Sequence, residues 1–293
     1  MDFREHIFFT GERQLCVYEA GDLQGTPVLV HNGTPSSRIL NPVWVEDARA
    51  QGIRLIGYDR PGYGSSTSYV GRSVASVAED VVTIAEALNL NRMAVWGHSG
   101  GGPHALATAA LLPDLVFAAA CISSLAPYDA EGLDWLDGMG AGNITEFGAA
   151  LESKEALEAF LEAEAPGFLA TDSEALIQAL RSLLTPVDAA ALHGEFATGL
   201  IRTITEGIRT RRDGWRDDDL AFLRPWGFRL AQINIPVLLL HGRQDLFVPH
   251  AHGEWLANHI PNVDARILPD DGHLSVIVDH ISEIHSWLLQ KKD

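Results

Sequence analysis

The sequence predicts an α/β protein in which a mostly parallel sheet, flanked by helices, is interrupted by a helical insertion. Short apolar runs alternate with amphipathic stretches through residues 1–125 and again through residues 231–293. This alternation is typical of the strand–helix–strand units that build a parallel sheet. Between them, residues 126–230 carry helical periodicity but no strong strand candidate. We therefore expect a core of residues 1–125 and 231–293 and a helical cap of residues 126–230.

The core elements can be assigned in chain order. An opening hairpin is predicted around Gly11, and the continuous apolar run of residues 27–31 is typical of a strand covered on both faces. Further strands with the same pattern are predicted at residues 54–58, 93–97, 116–123, 236–241 and 265–268. Residues 73–88 place apolar side chains on one helical face, and a closing helix is expected at residues 281–290.

The cap is defined by apolar stripes at helical spacing in residues 157–161, 176–184 and 196–208. Its acidic residues, including the aspartates of 217–219, are interpreted as solvated. A cap inserted after the sixth strand would lie over the carboxyl ends of the strands, where parallel sheets build their sites. Large apolar residues near the two junctions are therefore predicted to line a substrate pocket: Trp135, Met139, Phe147, Trp226 and Phe228.

Composition narrows the function classes. The chain has 293 residues and a formal net charge of −18, which argues against nucleic acid as a partner. Neither a signal peptide nor a membrane-spanning segment is evident, so we expect a cytoplasmic monomer or homodimer whose partner is a small-molecule substrate. Cys16 and Cys121 are expected to be reduced thiols. No carboxylate follows His250 and His252 at ligand spacing, so no metal and no other cofactor is expected.

The strongest local motif is Gly97-His98-Ser99-Gly100-Gly101, which directly follows a predicted strand and precedes a helical run. A serine between two glycines at a strand-to-helix turn indicates a nucleophile elbow. The turn is so tight that the positions two before and two after the serine must lack bulky side chains. Ser99 is therefore the predicted nucleophile.

A serine nucleophile needs a base, and the base needs an acid that fixes its tautomer. The order Ser, then Asp, then His is met by Asp245 and His273, each just past a predicted strand. The nearby Asp270 and Asp271 are rejected as the acid, because sequence neighbours rarely reach the far nitrogen of their own histidine. His98 is expected to pack or line the pocket rather than transfer a proton.

An oxyanion needs preorganised N–H donors. One is predicted to be the backbone N–H of Gly100, the residue after the nucleophile. The second is expected from the loop His31-Asn32-Gly33-Thr34-Pro35, which follows the strand of residues 27–31. Gly33 permits a tight turn and Pro35 has no N–H, so Thr34 is the predicted second donor.

These motifs resemble the α/β-hydrolase superfamily, in its branch of capped serine esterases and proline-iminopeptidase-like proteins. Asn32-Gly33-Thr34-Pro35 is similar to the branch's His-Gly-x-Pro loop, although Asn32 replaces the usual histidine. Residues 59–66, Asp-Arg-Pro-Gly-Tyr-Gly-Ser-Ser, match its Asp-x-Pro-Gly-x-Gly-x-Ser loop. Gly242-Arg243-Gln244-Asp245 and Gly272-His273 match its acid and base segments. The resemblance spans residues 28–275 and implies an α/β-hydrolase sheet with an inserted helical cap.

The predicted reaction is hydrolysis of a carboxylic ester of a small or medium, largely uncharged substrate through an acyl-enzyme. An aspartate nucleophile would indicate dehalogenase or epoxide hydrolase chemistry, but the elbow holds serine. Alternatives that keep the triad are an aminopeptidase or amidase of the proline-iminopeptidase type, a cofactor-free haloperoxidase and an acyltransferase. The iminopeptidase activity usually needs acidic cap groups that hold the substrate's amine. A ligand-binding receptor on a hydrolase scaffold is the non-enzymatic alternative.

Overall fold

The fold is described from a computed structural model that covers residues 3–292. Within these residues the strands are β1 (Arg4–Thr10), β2 (Arg13–Gly21), β3 (Thr26–His31), β4 (Ile53–Tyr58), β5 (Met93–His98), β6 (Val116–Ile122), β7 (Val237–Gly242) and β8 (Val263–Leu268). The core helices are α1 (Pro42–Ala50), α2 (Val77–Ala87), α3 (Gly101–Leu111), α10 (His250–His259) and α11 (Ser275–Gln290). Between β6 and β7 lie α4 (Ala141–Glu152), α5 (Lys154–Phe168), α6 (Ser173–Leu180), α7 (Pro186–Ala191), α8 (Gly194–Ile208) and α9 (Asp213–Phe222).

The strands of the described chain form one eight-stranded sheet in the order β1-β2-β4-β3-β5-β6-β7-β8. The hairpin of β1 and β2 pairs antiparallel and β2 joins β4 antiparallel, whereas every later pair is parallel. Apolar layers cover both faces of the sheet, as the continuous apolar runs indicate. The predicted α/β class is confirmed, and the carboxyl ends of β3, β5, β7 and β8 meet at one edge.

Helix α8 docks the insertion closely onto the core. A Cβ atom on Gly199 would lie 2.6 Å from the Asn41 side chain, and one on Gly207 would lie 2.9 Å from the Ser36 backbone. At this contact the Asn41 amide donates to the Phe196 carbonyl at 2.9 Å. Since no side chain separates the helix from the core at the two glycines, α8 and the start of α1 form one packed unit.

The aspartates of residues 217–219 are buried, at 5%, 0% and 1% exposure. The prediction that they form a solvated run is therefore wrong. Helix α9 lies between the core and the other helices of the insertion, packed against α4, α5 and α8. A carboxylate in such a place needs a cation, hydrogen-bond donors or a shared proton, and the neighbours Asp218 and Asp219 meet that need in different ways.

The two cysteines of the sequence, Cys16 and Cys121, are separate buried thiols. Burial raises the pKa of both, and that of Cys121 reaches about 12. Since the thiolate is the reactive form, neither side chain is poised for chemistry at neutral pH. Along the described chain, helices long and apolar enough to cross a membrane are not found.

Candidate active site

Ser99 lies at a sharp turn between β5 and α3. Its φ of 56° is in the left-handed region, which is uncommon for a residue with a side chain. The two glycines that flank the turn almost touch, because a Cβ atom on Gly97 would lie 2.2 Å from the Gly101 carbonyl oxygen. A Cβ atom on Gly101 would overlap the carbonyl of His31. The structure thus shows the steric need for small residues on both sides of Ser99 that the elbow motif predicts.

Asp245 follows β7, and the loop after it fixes the orientation of its carboxylate. Oδ1 accepts the backbone N–H groups of Phe247 and Val248, both at 2.8 Å. Oδ2 lies 2.7 Å from Nδ1 of His273. Burial alone would raise the pKa of this carboxyl, but the charge and hydrogen bond of His273 outweigh that effect and lower it. Asp245 is therefore held as an ionised acceptor.

His273 follows β8 and is only 2% exposed. Because the ionised Asp245 can only accept, Nδ1 of the imidazole carries the proton, and Nε2 is left as an acceptor. The ring stacks on Phe247, with centroids 4.4 Å apart. His273 and Ser99 line the same cavity. The structure thus brings together the three residues that the sequence nominates as a triad.

His98 and Asp271, which the sequence analysis rejects as members of the triad, have other hydrogen-bond partners. His98 donates from Nε2 to the carbonyl of His273 at 2.9 Å. Burial, followed by the charge of His273, lowers the pKa of His98 to about 3, so that its imidazole is neutral. Asp271 accepts from the Ser275 hydroxyl at 3.0 Å and also lies 3.3 Å from His280. These contacts give Asp271 partners outside the His273 imidazole.

The loop after β3 lies against the elbow. A Cβ atom on Gly33 would lie 3.5 Å from Cβ of Ser99, and one on Gly100 would lie 2.4 Å from Oγ1 of Thr34. The N–H groups of Thr34 and Gly100 find no acceptor among residues 3–292. Two free amide donors thus lie beside Ser99, which is the arrangement that an oxyanion site requires.

Arg60 holds this loop from the side of the core. Its guanidinium donates to the carbonyls of Asn32 and Gly33, at 3.0 Å in the case of Gly33. In a trans peptide the N–H points away from the C=O. Because the Gly33 carbonyl faces Arg60, the N–H of Thr34 faces the opposite direction. The Asn32 side chain, at the position where the resemblance expects histidine, donates to the carbonyl of Ser37 at 2.7 Å.

Asp218, on α9, is the counter-ion of Arg60, which holds the loop after β3, and of Arg72. Its carboxylate lies 2.6 Å from Arg60 and 2.7 Å from Arg72, and it accepts the hydroxyls of Thr34 at 2.7 Å and Tyr63 at 2.9 Å. Burial would raise the pKa of this carboxyl, but the two guanidinium groups hold it far below its ordinary value. A residue of the insertion therefore supports the loop that carries the Thr34 amide.

The cavity at Ser99 has a volume of about 120 Å³. Its walls combine core loops with α4, α5, α6, α8 and α9, and its apolar lining includes Phe147, Phe168, Leu183, Phe196, Trp215 and Phe222. Of the five residues predicted to line the pocket, the structure places Phe147 in the wall.

The other four, Trp135, Met139, Trp226 and Phe228, do not line this cavity, which corrects the prediction. Trp135 packs edge-on behind the Phe147 ring, at 4.7 Å between centroids, and donates to the Ala126 carbonyl at 2.8 Å. Trp226 stacks on Phe228. Proximity to the junctions does not decide which residues line the cavity, because Phe222 lies in the wall whereas the nearby Trp226 packs against Phe228.

Two carboxyl groups, Glu146 on α4 and Asp219 on α9, also line the cavity. The two carboxyls are close enough to affect each other's pKa, and the indole of Trp215 donates to Glu146 at 2.6 Å. Burial raises the pKa of Glu146, and burial together with the neighbouring Glu146 raises that of Asp219 well above its ordinary value. One buried oxygen of Asp219 has no hydrogen-bond partner among the described residues. This acidic pair is unlike the otherwise largely apolar wall.

The sequence interpretation missed Arg60, Asp218, Glu146 and Asp219 as site residues. Arg60 lies within the motif of residues 59–66, so its position could have been a signal. The three acids lie in helices without a motif, where only the fold shows that they face inward. Among residues 3–292, His, Cys, Asp and Glu side chains do not gather in threes or more that could hold a metal ion.

Comparisons with known proteins identify the family of the chain. The family model for the alpha/beta hydrolase fold matches residues 26–280, and the chain belongs to that family, which supports a hydrolase role. It is 28% identical over 235 residues to a pimeloyl-(acyl-carrier protein) methyl ester esterase of Nitrosomonas europaea, covering 79% of this chain and 83% of the relative.

Two further similarities extend the comparison. The chain is 29% identical over 253 residues to a non-heme chloroperoxidase of Streptomyces lividans, covering 81% of this chain and 83% of the relative. A thermophilic esterase of Thermogutta terrifontis superposes with a TM-score of 0.71 at 21% identity, covering 99% of this chain and 100% of that one. At that identity the superposition shows the shared fold.

Proposed function

We propose that the protein hydrolyses carboxylic esters with a small, uncharged acyl group through an acyl-enzyme on Ser99. The observation that carries this proposal is the position of Ser99. It shares one cavity with His273, which Asp245 orients at 2.7 Å, and it lies beside the free amides of Gly100 and Thr34. A nucleophile, an oriented base and two oxyanion donors are the components of acyl transfer to water.

In the proposed reaction, Nε2 of His273 takes the Ser99 hydroxyl proton as the oxygen attacks the ester carbonyl. The amides of Gly100 and Thr34 hold the resulting oxyanion. The ester C–O bond then breaks, and the protonated His273 gives its proton to the leaving alcohol. His273 next takes a proton from the water that attacks the acyl-enzyme. It returns that proton to the Ser99 oxygen as the ester bond to the serine breaks and the acid is released.

The size and polarity of the cavity support a small substrate. A cavity of roughly 150 Å³ in another protein accommodates benzene, and this one has a volume of about 120 Å³. Its largely apolar wall disfavours a negatively charged acyl group, since an anion there would lose its hydration without a lysine or arginine among the described residues of the lining to pair with it. We therefore expect short acyl chains to react faster than long ones.

The test is hydrolysis of p-nitrophenyl acetate, butyrate and octanoate by the wild type and by Ser99→Ala. The acetate and butyrate should have the larger kcat/KM, and Ser99→Ala should lose about six orders of magnitude in kcat, as serine hydrolases do without their nucleophile. A fluorophosphonate probe should label Ser99 in the wild type. Equal rates at all chain lengths, or labelling at another serine, would contradict the proposal.

A second candidate function is favoured by Glu146 and Asp219. An acidic pair in the wall can hold an ammonium group, which would replace the proton that the two carboxyls share. The substrate would then be an ester or amide whose acyl part carries a free amine. This is the aminopeptidase alternative, and its support is the orphaned oxygen of Asp219.

Two substrates of one shape separate the candidates. Alanine methyl ester carries an ammonium group where methyl isobutyrate carries a methyl group. If the amine is recognised, the alanine ester should have the larger kcat/KM, and Glu146→Gln should reduce that preference by at least tenfold. If the wild type favours the isobutyrate and Glu146→Gln leaves the ratio unchanged, the acidic pair does not select an amine.

A further inference from the structure

Asp188 is a fully buried carboxylate on the short helix α7, in the insertion, and three of its hydrogen-bond partners lie in the core. Oδ2 accepts the backbone N–H of His273 at 3.0 Å. Oδ1 accepts the N–H groups of Leu274 at 2.7 Å and Ser275 at 3.1 Å. The hydroxyl of Thr185 donates a further hydrogen bond at 3.1 Å. Three consecutive amides of the loop that carries the predicted base therefore converge on one side chain.

The same three amides open helix α11, which begins at Ser275 and runs for 16 residues. The first N–H groups of a helix have no partner within the helix and carry partial positive charge. A capping residue of the same segment normally satisfies them. Here Leu274 precedes the helix and offers no side-chain acceptor. The carboxylate that takes this place comes from 85 to 87 residues away along the chain.

We propose that Asp188 is a positioning residue for catalysis, which fixes the main chain of His273 so that its imidazole keeps its place between Asp245 and Ser99. The backbone of His273 is held from two sides, with the N–H on Asp188 and the carbonyl on His98 at 2.9 Å. The space around the carboxylate is tight, since a Cβ atom on Gly272 would lie 2.3 Å from its oxygen. Without the carboxylate, the loop loses three charge-assisted hydrogen bonds at once.

The proposal rests on the proposed function, because a positioned base matters only if Ser99 and His273 react. The experiment compares Asp188→Asn with the wild type, using p-nitrophenyl acetate and a fluorophosphonate titration of active sites. An asparagine keeps the shape but turns one acceptor into a donor that faces a backbone N–H. We expect kcat per titrated site to fall by about 10- to 100-fold, as for a misplacement of about 1 Å, while KM changes less than twofold.

The split between kcat per titrated site and the number of titrated sites distinguishes positioning from a purely structural role. A loss of stability alone would lower the number of sites that the fluorophosphonate titrates and leave kcat per site unchanged. The matched control is Asp172→Asn, because Asp172 caps α6 from the same insertion by accepting the Ala175 N–H at 2.9 Å without touching the base loop. Its kcat per titrated site and its KM should equal those of the wild type.

Several results would overturn the proposal. If Asp188→Asn has wild-type kcat per titrated site, Asp188 contributes stability alone. If that variant does not fold, Thr185→Val removes the hydroxyl that supports the carboxylate and should give a smaller loss of kcat per site; an unchanged kcat counts against the proposal. Failure of the proposed function has a different signature, since the wild type itself would then neither hydrolyse the ester nor react with the fluorophosphonate.

Discussion

The core and the inserted helices both contribute residues to the site, but in different ways. In the core, Ser99, Asp245 and His273 each follow a strand, and short turns aim their side chains at one edge of the sheet. In the insertion, the carboxylates come from helices α4, α7 and α9, where no shared turn or motif marks them. Their roles are set by what they meet in the folded protein.

Helix α9 shows that the surroundings of a carboxyl group in the insertion can set its pKa differently even between sequence neighbours. Asp218 and Asp219 are neighbours in sequence and both are buried. The two arginines beside Asp218 lower its pKa, whereas burial and the Glu146 carboxyl raise that of Asp219. The first is a charged anchor beneath the Thr34 loop, and the second lies in the cavity wall. Core residues are thus defined by their position in a turn, and insertion residues by their surroundings.

The largest effect, a loss of kcat, should come from substitution of Asp245, the acid of the triad in the core. Asp245→Asn keeps the shape of the side chain but favours the wrong tautomer of His273, and should lower kcat by about 10⁴, the magnitude known for the aspartate of the serine-protease triad. The matched control is Asp271→Asn, which lies in the same loop as His273 and contacts Ser275 instead. If Asp271→Asn were the damaging change and Asp245→Asn were silent, the core assignment would be wrong.

The next largest effect, a loss of stability, should come from substitution of Asp218 in the insertion. Asp218→Asn leaves Arg60 and Arg72 without their buried counter-charge, and should lower the free energy of unfolding by about 3–5 kcal/mol at neutral pH. The lowered pKa means that this contribution is present above the ordinary carboxyl value of about 4 and is lost as the pH falls through the folded-state value. Urea denaturation at pH 7 and pH 3 measures it. An equal difference at both pH values would count against an ionic role.

Asp219→Asn should behave in the opposite way. Since the pKa of Asp219 is raised by folding, its ionisation costs stability once the pH exceeds the unfolded-state value. The asparagine removes that cost, so the variant should equal or exceed the wild type in stability at pH 8, and its advantage should vanish at acid pH. Urea denaturation curves at both pH values test this. A loss of stability like that of Asp218→Asn would remove the contrast between the two neighbours.

The smallest effect on hydrolysis should be a change in chain-length preference, which separates the residues of the cavity wall from those packed behind it. Phe147→Ala opens the wall and should shift the preference between butyrate and octanoate by about tenfold toward the longer chain, since room for one further methylene is worth roughly 1–3 kcal/mol. Trp135→Ala removes the support behind that ring and should mainly cost stability, by about 3–5 kcal/mol. Ester profiles and urea curves for both variants check this. Equal changes in selectivity would place both residues in the wall.

The contrast also explains how far the sequence could be interpreted. The positions of the strands along the chain, the elbow at Ser99 and the pairing of Asp245 with His273 follow from patterns of a few residues, because turn geometry leaves few alternatives. The burial of residues 217–219 could not be derived, since three aspartates in a row are typical of a solvated surface. Trp135 and Phe147 are equally apolar, and only the packed structure decides which of them faces the cavity.

The buried thiols have a practical consequence for studies of motion. Because Cys16 and Cys121 are hidden and their pKa values are raised, the natural protein offers no reactive position to a maleimide at neutral pH. A cysteine introduced on an exposed residue of α5, and a second on α2, could each carry a fluorophore without mutation of the native pair. Energy transfer between the dyes would then report in solution whether the helices of the insertion move away from Ser99 during turnover.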